Sequence, residues 1–576
     1  MIFLRNNILL ERDLTFDDIK PRLLGPGHGA PGILACLWLE DFLAYQVASP
    51  ADMAINLVLS RTWNIDHDLA ASLPRAISDI HKIQHAAHTG NPIVKPRWPV
   101  IPFRTPKGSS APQYGPDGNI IEGSFQSHQV RLPKAKSDER HLEDALPVEA
   151  VRRLIPSINN KRLGQKRESY KAYVPLDVPD WRPLAVEKGS QESCMKCVDT
   201  FLGEVIASNS KTFRIFSPDE LVSNKLDAVL ERTSCNFQWD TLSRAQGGRV
   251  IEILSEHTCQ GMLQGYTLTG RTGLFPSYEA FLGVIHTMMV QYSKFTKLWR
   301  QPCGSLNYVE TSTWTRQEHN GFSHQNPSFI GVVLNLKPEA ARVYLPPDAN
   351  CALSTVVHCV GAKNYVNLIV GGKPTPVWLG RQEANKHCIA GTSVWRFASV
   401  DGGINPDVVL VGVGVEVTFE VIAAASLLRK RCPNLRVRAV NITDLMVLNH
   451  KYAHPHALDD EQLSILFTED RPVHFNYHGY QGLLFGRPGL MERVIIAGYK
   501  EEGTTTSPFD MMLCNNISRF DVATAAIHGG SRVNPKVAVN AHIEISALRH
   551  EAKKVQDYIY KHGEDPEETY ATPSFD

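Results

Sequence analysis

The 576-residue sequence lacks an excess of charge of either sign, with 60 basic residues against 60 acidic ones. That balance gives no whole-protein field of the kind that draws in nucleic acid, an anionic membrane or an acidic partner. Long hydrophobic runs are lacking too. No uninterrupted apolar stretch approaches the roughly 20 residues that a membrane-spanning helix needs. The opening MIFLRNNILLERD has an apolar run too short, and too quickly followed by charge, for a secretory leader. These absences point to a cytoplasmic protein that engages neither nucleic acid nor membrane.

Cysteine is sparse, eleven residues spread over the chain, so reduced thiols are expected. Cys194 and Cys197 in SCMKC form the one close pair, and no second pair stands at zinc-ribbon spacing, which favours two small buried side chains over a redox or metal motif. A dinucleotide fingerprint is incomplete. Gly412 and Gly414 in VVLVGVGVEV have no third glycine after them and no acidic residue clearly at the end of the next strand, so tight strand-to-helix packing is the expected role.

What is present suggests three or four domains at roughly 150 residues each. In the first hundred residues GPGHGAPG reads as a loop feeding the helix ILACLWLEDFLAYQV. HDLAASLPRAISDIHKIQHAAHTG reads as another helix, and PIVKPRWPVIPFRTP as a strand with its exit. Residues 104–192 are rich in Pro, Lys, Arg, Ser and Gly without sustained periodicity, and read as a long connecting segment. Strands and helices then alternate. KTFRIF, GRVIEIL, SFIGVVLNL, ARVYL and YVNLIVG read as strands, and YEAFLGVIHTMMVQYSKF as a helix. Near residue 405 the strand DVVLVGVGVEV, the helix FEVIAAASLLRKR and the strand LRVRAVNI repeat the pattern. The fold class is therefore α/β, with mostly parallel sheets flanked by helices.

In such sheets ligands collect at the carboxyl ends of the strands. The stretches SPDELVSNKL, LSEHTCQG, TWTRQEHNGFSHQNP, LPPDANC and GGKPTP all follow strands. Glu256 alone would more often be a buried acid with a structural partner. His319 and His324, however, share one loop with Gln317 and Asn320, and Gly321 permits a backbone shape that presents them together. Such a polar cluster suits a phosphorylated or hydroxylated substrate better than it suits packing. A zinc site stays open as an alternative, but two histidines five apart with no third ligand nearby are weak evidence for one.

From residue 157 onwards the chain resembles the phosphoketolases, thiamine-diphosphate enzymes of the transketolase superfamily, and in particular their fungal branch. The resemblance rests on FRIFSPDELVSNKL, GRVIEILSEHTCQG, TLTGRTGLFPSYEAF, TWTRQEHNGFSHQNPSF, RVYLPPDANCALS, HFNYHGY and EEGTTTSPFDM. It implies a transketolase-like multidomain architecture: a remnant of the diphosphate-binding domain over residues 1–103, an extended linker over 104–192, a pyrimidine-binding domain over 193–398 and a C-terminal α/β domain over 399–576. It implies phosphorolytic cleavage of xylulose 5-phosphate or fructose 6-phosphate to acetyl phosphate plus glyceraldehyde 3-phosphate or erythrose 4-phosphate, with thiamine diphosphate and Mg2+ as cofactors. Glu256 matches the glutamate that contacts the aminopyrimidine, Tyr278 and Phe281 the aromatic residues near that ring. His319, His324 and His128, with Gln317 and Asn320, match the substrate pocket. Ser223 and Lys373 match phosphate-binding positions, and His28 a histidine of the cofactor-binding domain. A homodimer, or pairing with a full-length relative, is implied because family members build each site between two subunits.

The N-terminal third departs from that pattern. PRLLG runs straight into PGHGAPG, without the HWGT segment that precedes it in the family. No GDG followed by an acidic residue occurs anywhere, so the magnesium ligands of the family have no counterpart and the metal site is expected to be lacking. The alternative implied is a catalytically impaired or complementing subunit, or a gene-model fragment.

Overall fold

The computed structural model describes residues 65–93, a few residues between 99 and 124, and residues 173–575 apart from 236–247, 300–301, 318–319, 373, 404, 450–453, 455, 484–492 and 504. The chain divides into two units, residues 1–171 and 172–576. In the first, the expected amphipathic helix forms as α1 (Ile65–His88), with Ala76 and Ile80 buried and Pro74 within it. GPGHGAPG and the helix expected after it lie outside the described residues, as does most of PIVKPRWPVIPFRTP.

The second unit holds two main sheets. The first has six strands: β1 (Phe213–Ser217), β2 (Val250–Glu252), β3 (Thr272–Ser277), β4 (Leu306–Glu310), β5 (Ala341–Tyr344) and β6 (Val366–Val370). They lie in the order β2-β1-β3-β4-β6-β5, and every pairing is parallel. The second sheet has β7 (Thr392–Val394), β8 (Val408–Val413), β9 (Val437–Ile442), β10 (Val473–Tyr480) and β11 (Val494–Tyr499). Its order is β11-β10-β8-β9-β7, parallel throughout except for β7, which runs antiparallel along one edge. Strands such as VVLVGV are apolar at every position because helices cover both faces, so no residue is left to alternate toward water.

The helices that matter below are α2 (Cys194–Ser208), α3 (Glu256–Leu268), α4 (His286–Trp299), α5 (Ser328–Leu334), α6 (Ala349–Gly361), α7 (Val415–Arg431), α8 (Pro508–Cys514), α9 (Arg519–Ser531) and α10 (Ala541–His562). Three sequence expectations change here. SFIGVVLNL forms α5 rather than a strand, since a short apolar run fits a buried helix as well as a buried strand and β4 already fills the neighbouring place in the sheet. The stretch beginning YEAF stays out of the helix until a 3-10 turn at Leu282–Ile285, leaving Tyr278 and Phe281 on the loop after β3. DVVLVGVGVEV ends as a strand at Val413, and α7 begins at Val415. The end of the expected connecting segment, from residue 173, belongs to the second unit. Asn209 in the turn after α2 donates to the Asp177 carbonyl at 2.7 Å, and Trp181 is buried.

The glycines between β8 and α7 do what tight packing requires. A Cβ on Gly412 would stand 2.7 Å from Thr418 Oγ1, and Gly414, at φ +116, would bring one within 2.8 Å of the His478 side chain. Cys194 and Cys197 sit in the core under α2, where burial pushes the Cys194 thiol well up and that of Cys197 up to about 12, as expected of small apolar side chains rather than a redox pair. That core is continuous between the sheets: Met195, Val309 and Ile369 of the first belong to one cluster with Val415, Ile422 and Ala439 of the second.

His474, the second residue of β10, is buried, and neither of its ring nitrogens hydrogen-bonds any described residue. Burial lowers its pKa from 6.5 to about 4. The folded chain therefore keeps it neutral while the unfolded chain binds a proton below pH 6.5, so its contribution to stability is whole above that pH and is lost as the pH falls toward 4. His474→Met should gain on the parent as the pH drops from 7 to 5, by about 2 kcal/mol. Thermal melts of both chains across that range check this, and a difference in Tm that does not change with pH would contradict it.

Candidate active site

Because the strands of the first sheet are parallel and in register, Ser217 beside Glu252 and Ser277 beside Glu310, their carboxyl ends deliver four loops to one edge. Buried polar side chains tie these loops together. Glu252 accepts the Leu221 N–H at 2.6 Å, which folds the loop after β1 back over β2. Asn224 donates to Ser217 Oγ at 3.2 Å and accepts from Thr311 Oγ1 at 2.6 Å, linking that loop to the one after β4. Held this way, Ser223 Oγ donates to Glu220 at 3.3 Å, and Ser223 works to lower the phenol of Tyr278 on the loop after β3.

Three rings meet at this edge. The His324 imidazole lies 4.9 Å from the Phe281 ring, edge to face, and 6.1 Å from that of Tyr278, while Tyr278 and Phe281 are 6.2 Å apart. Beside them Glu256 opens α3, where Ser255 accepts the Thr258 N–H at 3.3 Å and the positive end of the helix dipole favours a carboxylate. Asp219, on the adjoining loop, is half-buried. Burial pushes its carboxyl up, and the neighbouring Glu256 and Glu220 add to that. Burial, followed by Asp219, also raises the Tyr278 phenol.

The fourth loop, residues 311–327, consists of two 3-10 turns, Trp314–Arg316 and Gly321–His324. Between them Gln317 is buried and accepts from Asn320 Nδ2 at 3.2 Å. Gly321 takes φ +68, and a Cβ there would meet Thr505 Oγ1 at 2.7 Å, so only glycine lets the loop turn this close to the second half of the unit. His324 Nδ1 is 2.9 Å from Ser323 Oγ, and burial lowers the imidazole below 6.5. It is therefore neutral at physiological pH, able to accept a proton and return it.

The structure thus brings together Ser223, Glu256, Tyr278, Phe281, Gln317, Asn320 and His324 on adjoining loops. His319, Lys373, His128 and His28 lie outside the described residues. Sequence reasoning missed Asp219, although it stands inside SPDELVSNKL, because nothing local marks it as the acid facing Glu256. It also missed Glu279 and His478, whose partnership joins two distant segments. Glu279, next to Tyr278, is 2.7 Å from His478 Nε2, and both side chains are wholly buried. Burial, reinforced by Glu416, pushes the Glu279 carboxyl well up, and burial lowers His478 to about 4. The two therefore share one proton as a neutral hydrogen bond, since separating charges there would cost more than the attraction returns. Glu279→Ala would leave the imidazole buried without its partner and should destabilise the chain by about 3 kcal/mol. A denaturant midpoint unchanged from the parent would contradict this.

Thiamine diphosphate, the cofactor implied by the sequence, fits the described site on its pyrimidine side. The edge offers a carboxyl group at Glu256 and aromatic faces at Tyr278 and Phe281, the donor and stacking groups that an aminopyrimidine needs. Among the described residues no group of three or more His, Cys, Asp or Glu could hold a metal ion, and no helix is long and apolar enough to cross a membrane.

Residues 196–362 match the family profile of D-xylulose 5-phosphate/D-fructose 6-phosphate phosphoketolase. Residues 53–152 match the profile of the N-terminal domain of the same family, and 372–574 that of its C-terminal domain. A probable phosphoketolase of Schizosaccharomyces pombe is 48% identical over 546 residues, covering 90% of this chain and 65% of that protein. One of Rhodopseudomonas palustris (strain HaA2) is 42% identical over 542 residues, covering 87% of this chain and 68% of that one. The chain thus spans about two thirds of the length of these curated relatives. Among solved structures, a transketolase of Pichia stipitis superposes with a TM-score of 0.53 at 13% identity, covering 80% of this chain and 65% of that one. A second structure of Pichia stipitis transketolase, complexed with sedoheptulose 7-phosphate, gives 0.51 at 12% identity, covering 77% and 64%. The fold is transketolase-like, and the chain belongs to the phosphoketolase family.

Proposed function

We propose that this chain performs the thiamine-diphosphate-dependent phosphorolysis of xylulose 5-phosphate or fructose 6-phosphate, yielding acetyl phosphate and glyceraldehyde 3-phosphate or erythrose 4-phosphate. The observation that carries this reading is the meeting of Tyr278, Phe281 and His324 at one sheet edge, with Glu256 opening the adjoining helix. Bound there, thiamine diphosphate would supply the electron sink for carbon–carbon bond cleavage. Glu256 would hold a proton against a ring nitrogen of its pyrimidine, and Tyr278 and Phe281 would cover the ring.

The rest of the edge suits a sugar phosphate. Gln317, Asn320 and Ser223 offer neutral donors and acceptors to hydroxyl and phosphate oxygens. His324, neutral because burial lowers it, would take a proton from a sugar hydroxyl and return it to a departing one. His319, His128, Lys373 and His28 complete the proposal: the first two as further proton-moving groups, Lys373 at a phosphate, and His28 at the cofactor. The homodimer, or a pairing with a full-length relative, is proposed on the same ground.

Calorimetric titration of the chain with thiamine diphosphate and Mg2+ tests the reading. Saturable binding is expected, weakened about tenfold, or ~1.4 kcal/mol, in Glu256→Ala. Acetyl phosphate should then form from either ketose phosphate and inorganic phosphate. Absence of binding would overturn activity of this chain alone, and activity recovered only on mixing with a full-length relative would make it a complementing subunit.

A further inference from the structure

The chain does not end at α10. A 3-10 turn at Glu567–Thr569 sends the tail back across the unit, where its backbone is fixed at several points. The Thr569 carbonyl accepts from Arg519 at 2.6 Å and the Phe575 carbonyl from Arg429 at 2.6 Å, while Thr572 Oγ1 accepts from Gln191 at 3.2 Å. Arg519 is on α9 and Arg429 on α7 of the second sheet's layer. Gln191 belongs to a short antiparallel pair with Pro376. The tail is therefore a strap laid over both.

Midway along it, the Tyr570 ring lies over the guanidinium of Arg316, 5.6 Å from centroid to Cζ. Arg316 directly precedes Gln317, the first polar residue of the candidate substrate loop. Glu416 Oε1 stands 3.9 Å from Arg316 Nε, and the same oxygen accepts from Thr313 Oγ1 at 3.0 Å. The guanidinium thus lies near both a buried carboxylate and an aromatic face. Tyr570 itself is 44% exposed, so its ring fills no core, and its hydroxyl is tied to Asp565. Beyond Arg316 the backbone bonds among the described residues are short-range: the Gly321 and Asn320 amides bond the Gln317 carbonyl at 2.8 and 3.2 Å, and within the 3-10 turn Gly321–His324 the Gln325 amide bonds the Phe322 carbonyl at 3.2 Å. Loops of this kind open at low free energy unless they are anchored from outside. A displacement of about 1 Å in groups that orient a substrate is enough to lose most of their effect.

We propose that Arg316 and Tyr570 are positioning residues, and that the C-terminal strap sets through them how Gln317, Asn320 and His324 are presented to a sugar phosphate. The inference rests on the function proposed above, but its test does not depend on activity. Hydrogen exchange of the full chain, followed by mass spectrometry, compares the parent with Tyr570→Leu, which keeps apolar bulk, and Tyr570→Phe, which keeps the ring face. Amides of residues 317–325 should exchange about five-fold faster in the Leu variant, the scale of one lost cation–π contact. The Phe variant should match the parent, and β8 and β10 should be unchanged in both. Equal exchange in Leu and Phe variants would overturn the proposal, as would faster exchange throughout the unit. Calorimetric affinity for fructose 6-phosphate should fall in the Leu variant alone, and a loosened loop with unchanged affinity would also overturn it. A parent that binds no sugar phosphate would defeat the proposed function, while loop exchange would still decide the role of the strap.

Discussion

The geometry of the site depends on a seam between the two sheets of the second unit, and Trp314 is its centre. The indole is wholly buried; it donates to the His478 carbonyl at 2.7 Å and its ring packs 4.5 Å from that of Tyr499. Trp314 begins the first turn of the candidate substrate loop, whereas His478 and Tyr499 lie on β10 and β11. The apolar cluster around it, with Val417, Met511 and Ile517, comes entirely from the C-terminal half. A loop whose residues are too polar to fold on themselves is thereby given a hydrophobic anchor at one end. At its other end the Gln325 carbonyl accepts from Tyr499 at 3.2 Å.

The same seam holds an unusual load of buried acid. Glu310 at the end of β4 is completely buried and its carboxyl meets no donor among the described residues, while burial, then Glu279, pushes it well up. With Glu279 sharing a proton with His478, these groups are kept neutral. The Glu279–His478 pair, which joins the loop after β3 to β10, favours one arrangement of the two sheets, because a slip would leave both side chains buried and unpaired. The C-terminal α/β layer therefore acts as the backing of the site rather than as an independent module, even though the rings and carboxyls of the chemistry come from the first sheet.

Much of this was legible in the sequence because it is local. Continuous apolar runs between turn residues gave the parallel strands, and the polar stretches after them fell at the edge where parallel sheets gather ligands. Glu256 was placed after a strand on the same ground, but alone it read as a structural acid, and its role came only from the family resemblance. What remained hidden was long-range pairing. Nothing near Glu279 says that its partner lies 199 residues away in NYHGY, and nothing in the tail says that Tyr570 covers Arg316. SFIGVVLNL was misread because burial on all sides erases the periodicity that separates helix from strand. The missing third glycine near Gly412 was read correctly, since absence of a motif is itself a local fact.

If the seam governs the site, the two sheets must open together. Native-state hydrogen exchange of the full chain in rising guanidinium measures this directly, from the amides of β3 and β4 on one side and β8 and β10 on the other. The account predicts one common opening free energy for both sets, with the amides around Trp314 joining it. Exchange that opens the second sheet at lower denaturant while β3 and β4 stay protected would show two independent layers, and would contradict it.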